Sequence, residues 1–356
     1  MRLSVEVLHD AFVALCGDDA LELMEQHAED FNASLLYFLP KKLSGTGPTG
    51  EGYYEPANVR PLNVTNTDNR LLANAVRLLI EPAVGPRVLE IQRGFIAGRS
   101  MLSNLVDIEE AAVRTACSPH GGGAIFFDFA AAFPSIEHSF LRAVFESLNW
   151  PCWLRTFIDV LYAGNFCDIV MDGARYDGFS IHRGIRQGCP LSPLLFAVAA
   201  DLLLRRLARD FPAATLRAYA DDTALVDPQL MDHLGQLERT FGEYARISGL
   251  DLNVGKTVLV PLGQLTHVQV RERLQQGSPL WGAMAIADSA KYLGFVVGPG
   301  RGEKSWDAPF ASCWTGRPSG ARSARACCTR SRRTKSSSRR LPRSSCSWTP
   351  SLATST

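Results

Sequence analysis

Residues 217–226 read RAYADDTALV. The stretch is apolar or half-buried in character, yet it carries Asp221 and Asp222 side by side. Adjacent like charges repel, and burying an ionised carboxylate is costly unless it is paired or bound to a metal. The pattern predicts a strand, a turn bearing both carboxylates, and a second strand. What those carboxylates are for decides the reading of the rest of the chain.

About ninety residues earlier the chain reads FFDFAAAF, residues 126–133, with Asp128 at the end of an apolar strand. A lone aspartate there is most simply a helix cap or half of an ion pair. Two strands of one antiparallel sheet would instead set Asp128 beside the Asp221–Asp222 turn and cluster three carboxylates. Divalent cations stabilise such clusters, and Mg²⁺ favours carboxylate oxygens, phosphates and water. Two such ions, about 3.5–4 Å apart, activate an attacking oxygen and stabilise a leaving one in phosphoryl transfer. Between the two carboxylate stretches lies HRGIRQGCPLSP, residues 182–193, where Gly184 and Gly188 permit close backbone approach and Gln187 offers a donor and an acceptor. Taken alone it is a loop and a helix entrance.

The chain has 356 residues, enough for two or three subdomains around a sizeable core. Its longest apolar run, residues 124–133, is short and interrupted by Asp128, which excludes a membrane span there. The first twenty residues break their apolar pattern with Glu6, His9 and Asp10, an amphipathic helix rather than a signal peptide. Nine cysteines without a CxxC pair or His/Cys metal spacing point to a reduced intracellular compartment. The formal net charge of +1 hides an asymmetry: residues 308–356 hold ten Arg and Lys and no acid, so the remainder is net acidic. That counts against a generic basic nucleic-acid binder and leaves a local basic groove open.

Periodicity and turn chemistry give the order of elements. Residues 1–40 read as two short amphipathic helices and the Gly/Pro-rich stretch from Lys41 as loop. TDNRLLANAVRLLIEP, residues 67–82, reads as a helix capped by Asp68, with Leu71, Leu72, Ala75, Leu78 and Leu79 on its inner face, ending before Pro82. A second helix covers 100–117. The buried strand GGGAIFFDF follows, then a helix with Phe140, Leu141, Val144, Phe145 and Leu148 inward. A hairpin turns at Asp172-Gly173. A long helix starts with Ser192 as cap and Pro193 at its first position. After the Asp221–Asp222 hairpin comes a helix with Leu230, Leu234, Leu237, Phe241 and Tyr244 in one stripe, stopped at Gly249, and then a strand pair around KYLG, residues 291–294. This order predicts an α+β fold, an antiparallel sheet with helices on one face. After Asp307 the chain is Ser/Arg-rich and aperiodic. It reads as a nucleic-acid arm or nuclear-localisation patch, as disorder, or as a shifted reading frame.

Seven stretches together resemble the reverse transcriptases. FFDFAAAF, GIRQGCPLSPLLF, AYADD, GLDLNVGKT and KYLG occur in the order of that family's palm motifs. RPLNVTNTDNRLLAN and QRGFIAGRS look like finger motifs of its non-LTR (LINE-type) retrotransposon branch. The resemblance covers roughly residues 38–298. It implies a polymerase palm with mostly helical fingers: an N-terminal helical segment 1–40, fingers 41–120, palm 121–298 and a basic tail 299–356. It implies an RNA-directed DNA polymerase that adds deoxynucleotides from dNTP to a primer 3′-OH on an RNA template. Two Mg²⁺ would serve, with Mn²⁺ as the alternative ion, and the family implies a nuclear setting.

Residue roles follow from the same resemblance. Asp128, Asp221 and Asp222 match the catalytic, metal-binding carboxylates, with Asp128 and Asp221 the main ligands, and the Phe129 carbonyl would add a further ligand. Phe133 matches the steric gate against a ribose 2′-OH, and Ala131 and Ala132 the cradle of the triphosphate. Gln187 and Gly188 match the loop touching nucleotide and template. Arg60 and Arg70 match finger cations, Lys256 the general acid for departing pyrophosphate, and Tyr219 and Ala220 the lining of the primer end. KYLG matches the primer grip. Pro134 stands where the family often has Asp, and within these 356 residues the stretch after the primer grip reads as a basic tail where the family would lead one to expect a thumb, with no endonuclease or RNase H motif read beside the palm. The rival reading is a catalytically inactive retroelement remnant that binds nucleic acid weakly or not at all. An RNA-dependent RNA polymerase shares the palm logic, but Phe133 at the gate position counts against it.

Overall fold

In the computed structural model, which describes residues 2–48 and 50–306, the helices are α1 Arg2–Cys16, α2 Ala20–Phe31, α3 Thr67–Val84, α4 Met101–Ala116, α5 Ala132–Ser135, α6 His138–Ser147, α7 Cys152–Tyr162, α8 Ser192–Asp210, α9 Leu230–Ser248 and α10 His267–Gly277. The strands are β1 Ala33–Pro40, β2 Gly45–Thr46, β3 Gly52–Tyr53, β4 Val59–Thr65, β5 Gly122–Phe127, β6 Phe166–Met171, β7 Ala174–Ser180, β8 Thr215–Tyr219, β9 Asp222–Asp227, β10 Val258–Leu262, β11 Ala285–Ile286, β12 Ala290–Tyr292 and β13 Phe295–Val297. The basic tail beyond Asp307, and every expectation placed on it, lies outside the described residues.

The apolar run before Asp128 is β5, a central strand with all six residues buried. It sits in a five-stranded sheet of order β11-β10-β5-β9-β8. Pairing is antiparallel except for the short β11, which runs parallel to β10. Strand alternation sends Ile125 and Phe127 to one face and Ala124 and Phe126 to the other. The first face carries the main helical layer: Phe127 meets Phe241 of α9 at 4.5 Å between ring centroids, and α8 contributes Leu203, Leu204 and Leu207. The expected stripe of α9, Leu230, Leu234, Leu237, Phe241 and Tyr244, is buried throughout. The second face takes α4, through Leu105, Ile108, Ala111 and Ala112, and the β12–β13 ribbon, through Tyr292, Phe295 and Val297. Burying both faces explains why β5 reads as a continuous apolar run.

A second sheet, of order β4-β1-β6-β7, stands beside it in the same compact unit. β1 is parallel to β6 and antiparallel to β4. The hairpin at Asp172-Gly173 forms as expected, with φ of 50° and 78°.

The structure corrects several local expectations. Residues 1–40 are not wholly helical, since Ala33–Pro40 is a strand held between β4 and β6. Through β6 and β7, residues 166–180 complete the sheet begun by β1, so that sheet crosses the expected divisions of the chain at 40 and 120. In α3 the cap is Asn66, whose side chain accepts from the Asp68 N–H, and Pro82 lies inside the helix. Its inner face is Leu72, Ala73, Val76 and Ile80, whereas Leu71, Leu78 and Leu79 are at least half exposed. Leu148 also points outward. Ser192 does not cap α8: it is the first helical residue, and its side chain is buried.

Candidate active site

The β5–β9 pairing runs from Gly123↔Asp227 to Phe127↔Thr223. One step further along this register, Asp128 comes opposite Asp222. β8 and β9 close through Ala220 and Asp221, with Tyr219 paired to Asp222. Two strands far apart in sequence therefore bring Asp128 to the Asp221–Asp222 turn.

The proximity shows in the ionisation of the paired aspartates. Burial pushes the Asp221 carboxyl above the usual aspartate range, and the Asp128 charge adds to this; its own backbone N–H and the nearby Arg60 act the other way. Asp222 is pushed up to about 6 by burial and by the charges of Asp221 and Asp128. Among the described residues, however, no three His, Cys, Asp or Glu side chains form a ready-made metal cage. Mg²⁺ ordinarily takes one or two protein carboxylates and draws its other ligands from phosphates and water, so no such cage is required.

The donor set fits such an ion. The main chain of Asp128 is fully engaged, its N–H donating to Thr257 Oγ1 (3.2 Å) and its carbonyl accepting from Asn253 N–H (2.7 Å). The next carbonyl, that of Phe129, accepts no hydrogen bond among the described residues, so its hard oxygen is not engaged by the fold. The GLDLNVGKT segment supplies these anchors: Phe129 bridges to Leu252, and Ala130 N–H donates to Asp251.

Ala131 takes a left-handed φ of 47° and turns the chain into α5. The N–H groups of Ala131 and Ala132 meet no acceptor among the described residues, and Ser135 Oγ donates to the carbonyls of Ala130 and Ala131. Phe133 follows on α5, half-buried between the rings of Phe196 and Phe95. Gln187 is half-buried, and its carbonyl accepts from Asn63 N–H at 3.0 Å. A Cβ on Gly188 (φ 120°) would lie 2.2 Å from the Asn63 carbonyl, so this approach of loop to β4 requires glycine.

Arg60 on β4 is exposed and close enough to Asp221 to act on its ionisation. Arg70 lies on the exposed side of α3, and no described contact joins it to the carboxylates. Lys256 is exposed and, among the described residues, pairs with no acid. In KYLG, Tyr292 is buried against Phe126, and its hydroxyl bonds to Asn104 and the Arg217 carbonyl, while Leu293 and Gly294 turn at positive φ.

The sequence reading passed over part of the QRGFIAGRS stretch. Residues 91–93 lie along the free edge of β8: Ala218 N–H donates to Ile91, and Arg93 N–H donates to Ala218. From there the Gln92 side chain reaches Ala220, accepting its N–H at 2.9 Å and donating to its carbonyl at 3.1 Å. The same Gln92 oxygen accepts Gly94 N–H at 2.9 Å. Arg99 donates to the carbonyls of Gly85, Val88, Leu89 and Gln92. Arg93 and Arg217 share Asp107; burial works to raise that carboxyl, but the two guanidiniums outweigh it and hold it below its usual range. The glycine in the stretch was the available signal. A Cβ on Gly94 would lie 2.1 Å from Ala220 N.

Comparison with known proteins follows the same lines. The family described as "Reverse transcriptase (RNA-dependent DNA polymerase)" matches residues 40–297. The chain is 26% identical over 212 residues to the transposon TX1 uncharacterized 149 kDa protein of Xenopus laevis, covering 56% of this chain and 16% of that protein. It is 25% identical over 269 residues to the retrovirus-related Pol polyprotein from type-2 retrotransposable element R2DM of Drosophila melanogaster, covering 72% of this chain and 24% of that one. It thus spans about a sixth to a quarter of the length of these relatives. Among solved structures, telomerase from Candida tropicalis, in complex with the TWJ fragment of telomeric RNA, superposes with a TM-score of 0.50 at 12% identity over 77% of this chain and 46% of that one. At that identity the likeness is one of fold.

Proposed function

The chain belongs to the reverse transcriptase family, with relatives among non-LTR retrotransposon proteins, and on that footing we propose that it carries the polymerase centre of such an element. The reaction is in-line attack of a primer 3′-OH on the α-phosphate of a dNTP, directed by an RNA template, with pyrophosphate leaving. The observation that carries this reading is the meeting of Asp128 with the Asp221–Asp222 turn across β5 and β9, each of the paired aspartates raised in pKa by burial and by its neighbours' charge.

Asp128, Asp221 and the Phe129 carbonyl would hold the divalent cation, Mg²⁺ by the family's chemistry, with Asp222 adding negative charge beside them. A bound cation neutralises charge on the attacking and leaving oxygens. The residues of the chain do the remaining work. Arg60 balances the charge of the triphosphate. The N–H groups of Ala131 and Ala132 take its oxygens. Phe133 blocks a 2′-OH. Gln187 and Gly188 border nucleotide and template, Tyr219 and Ala220 line the primer end, and Lys256 carries on Nζ a proton for the departing pyrophosphate. Arg70 enters only if the fingers close toward the site. Most of the barrier reduction comes from positioning and charge.

The test is primer extension on an RNA template with Mg²⁺, comparing the chain with its Asp221→Asn/Asp222→Asn variant. Extension by the first and not by the second supports the proposal. Extension by neither favours the inactive remnant.

A further inference from the structure

We propose that Gln92 is a positioning residue that holds the Ala220–Asp221 turn in its cation-ready geometry, and that the QRG segment is therefore part of the catalytic apparatus. The inference rests on the polymerase reading of the site.

Three observations lead to it. First, the turn is not self-sufficient. Ala220 takes φ 58°, a left-handed conformation that alanine adopts at a cost and for which glycine is the usual residue. Something outside the hairpin must hold it there. Second, Gln92 does so with a matched pair of bonds. It is wholly buried, and its one amide group receives the N–H and meets the carbonyl of the same residue, Ala220. The two peptide groups that flank Ala220, the second of which leads into Asp221, are thereby each held by Gln92. Third, Gln92 is itself fixed. Its neighbours Ile91 and Arg93 are bonded to Ala218, Arg93 is tied to Asp107, and its own carbonyl is held by Arg99. Gly94 lets this segment come within contact of the turn.

A side chain with both a donor and an acceptor at this reach is required. Leucine or methionine at 92 would fill the space and leave the Ala220 N–H and carbonyl unpaired in the interior, so the turn would relax and move Asp221. A carboxylate would accept the N–H but oppose the carbonyl.

Mn²⁺ serves as the probe, titrated by electron paramagnetic resonance into the full chain, into Gln92→Met, and into Asp221→Asn/Asp222→Asn as the zero. Backbone hydrogen exchange is followed on the same samples. Gln92→Met is expected to weaken the carboxylate-dependent Mn²⁺ binding about 10–100-fold, the range for residues that support a metal ligand. Amides 219–222 should exchange faster while β5 keeps its protection. Gln92→Ala, which admits water to the orphaned groups, replaces the methionine variant if that protein does not fold, and should show a smaller loss of the same kind. Unchanged Mn²⁺ affinity overturns the inference, as does loss of protection throughout β5, which would make Gln92 merely structural. So does the lack of any carboxylate-dependent Mn²⁺ binding in the wild type. Primer extension is scored separately. A Gln92 effect on Mn²⁺ without extension leaves the positioning role standing and removes the polymerase reading. Extension with unaltered Mn²⁺ binding in the variant does the reverse.

Discussion

The ring of Phe133 lies flat on that of Phe196, with centroids 4.6 Å apart and planes 7° from parallel. Phe95 closes its other side edge-on, at 6.0 Å and 87°. Phe95 does so from a φ of 63°, a conformation rare for an aromatic residue. Phe196 is fully buried in α8, so the wall behind Phe133 is close-packed, which suits the gate role proposed for Phe133.

Phe133→Ala is therefore expected to relax discrimination against ribonucleotides by about 10²-fold, the size of effect that pocket shape alone supplies. Because the ring is half-buried, the fold should lose only about 1–2 kcal/mol. Phe95→Ala should move discrimination the same way by a smaller factor, since it removes the edge support and leaves the gate ring. Competitive incorporation of matched rNTP and dNTP measures both.

Removing carboxylates should trade activity for stability. Asp221→Asn/Asp222→Asn is expected to abolish primer extension and to raise the melting temperature of the metal-free protein at pH 7.5, because it removes like charges that burial makes costly. A lower melting temperature would show that the carboxylates stabilise the fold rather than strain it. Thermal melts in EDTA provide the measurement.

The pH dependence has a definite sign. Asp222 titrates near 6 in the folded protein and near 3.9 in the unfolded chain, so over that interval the folded state binds more protons. Its stabilising contribution is complete below about pH 4 and is lost as the pH rises through about 6. Since Asp222 reaches solvent, screening reduces the loss to about 1 kcal/mol. The wild type should weaken relative to Asp222→Asn by that amount between pH 4 and 7, as seen in denaturant midpoints without metal. Mg²⁺ should stabilise the wild type more at pH 7.5 than at pH 5.

Gly94→Ala tests the close approach at the turn. Its Cβ would meet Ala220 N and the Tyr219 carbonyl carbon, backbone atoms that cannot swing aside. The segment must lift from β8, at an expected cost of about 1–3 kcal/mol as with other overpacking in a close-packed interior, and extension should fall at least tenfold. Wild-type melting and turnover would show that residues 91–94 sit elsewhere.

Lys256→Ala should separate chemistry from folding. The side chain is exposed and unpaired among the described residues, so the melting temperature should stay within about 1 °C, in keeping with surface substitutions of under 0.5 kcal/mol. If Lys256 Nζ supplies the proton, kcat should fall about 10²-fold with KM for dNTP little changed. Single-turnover incorporation distinguishes this from slow release.

What was legible in the sequence is what short-range chemistry determines. The Asp221–Asp222 hairpin, the buried strand ending at Asp128 and the stripe of α9 each follow from local periodicity, and each is found in the fold. The inner face of α3 was misread because its leucines come in adjacent pairs, 71/72 and 78/79, which outline two overlapping stripes. Packing chose the one through Leu72, Ala73, Val76 and Ile80. Strand β1 was missed because its identity comes from partners at 59–65 and 166–170, not from its own composition. Gln92 was passed over for the same reason. Gly94 marks a close approach there, but nothing in the stretch says that Gln92 faces a peptide 128 residues away.

The parallel pairing of β1 with β6 sets a timetable for synthesis. Ala33 pairs with Phe166, so the inner strand of that sheet waits for its second neighbour until more than 130 further residues have left the ribosome. At ordinary translation rates that is roughly 7–27 s. During this time β4 covers one side of β1 and the other side stands as an open edge carrying Leu35, Leu36 and Tyr37. The nascent chain should engage chaperones most strongly in that window, and a translational pause placed before residue 166 should raise aggregation more than one placed after residue 180.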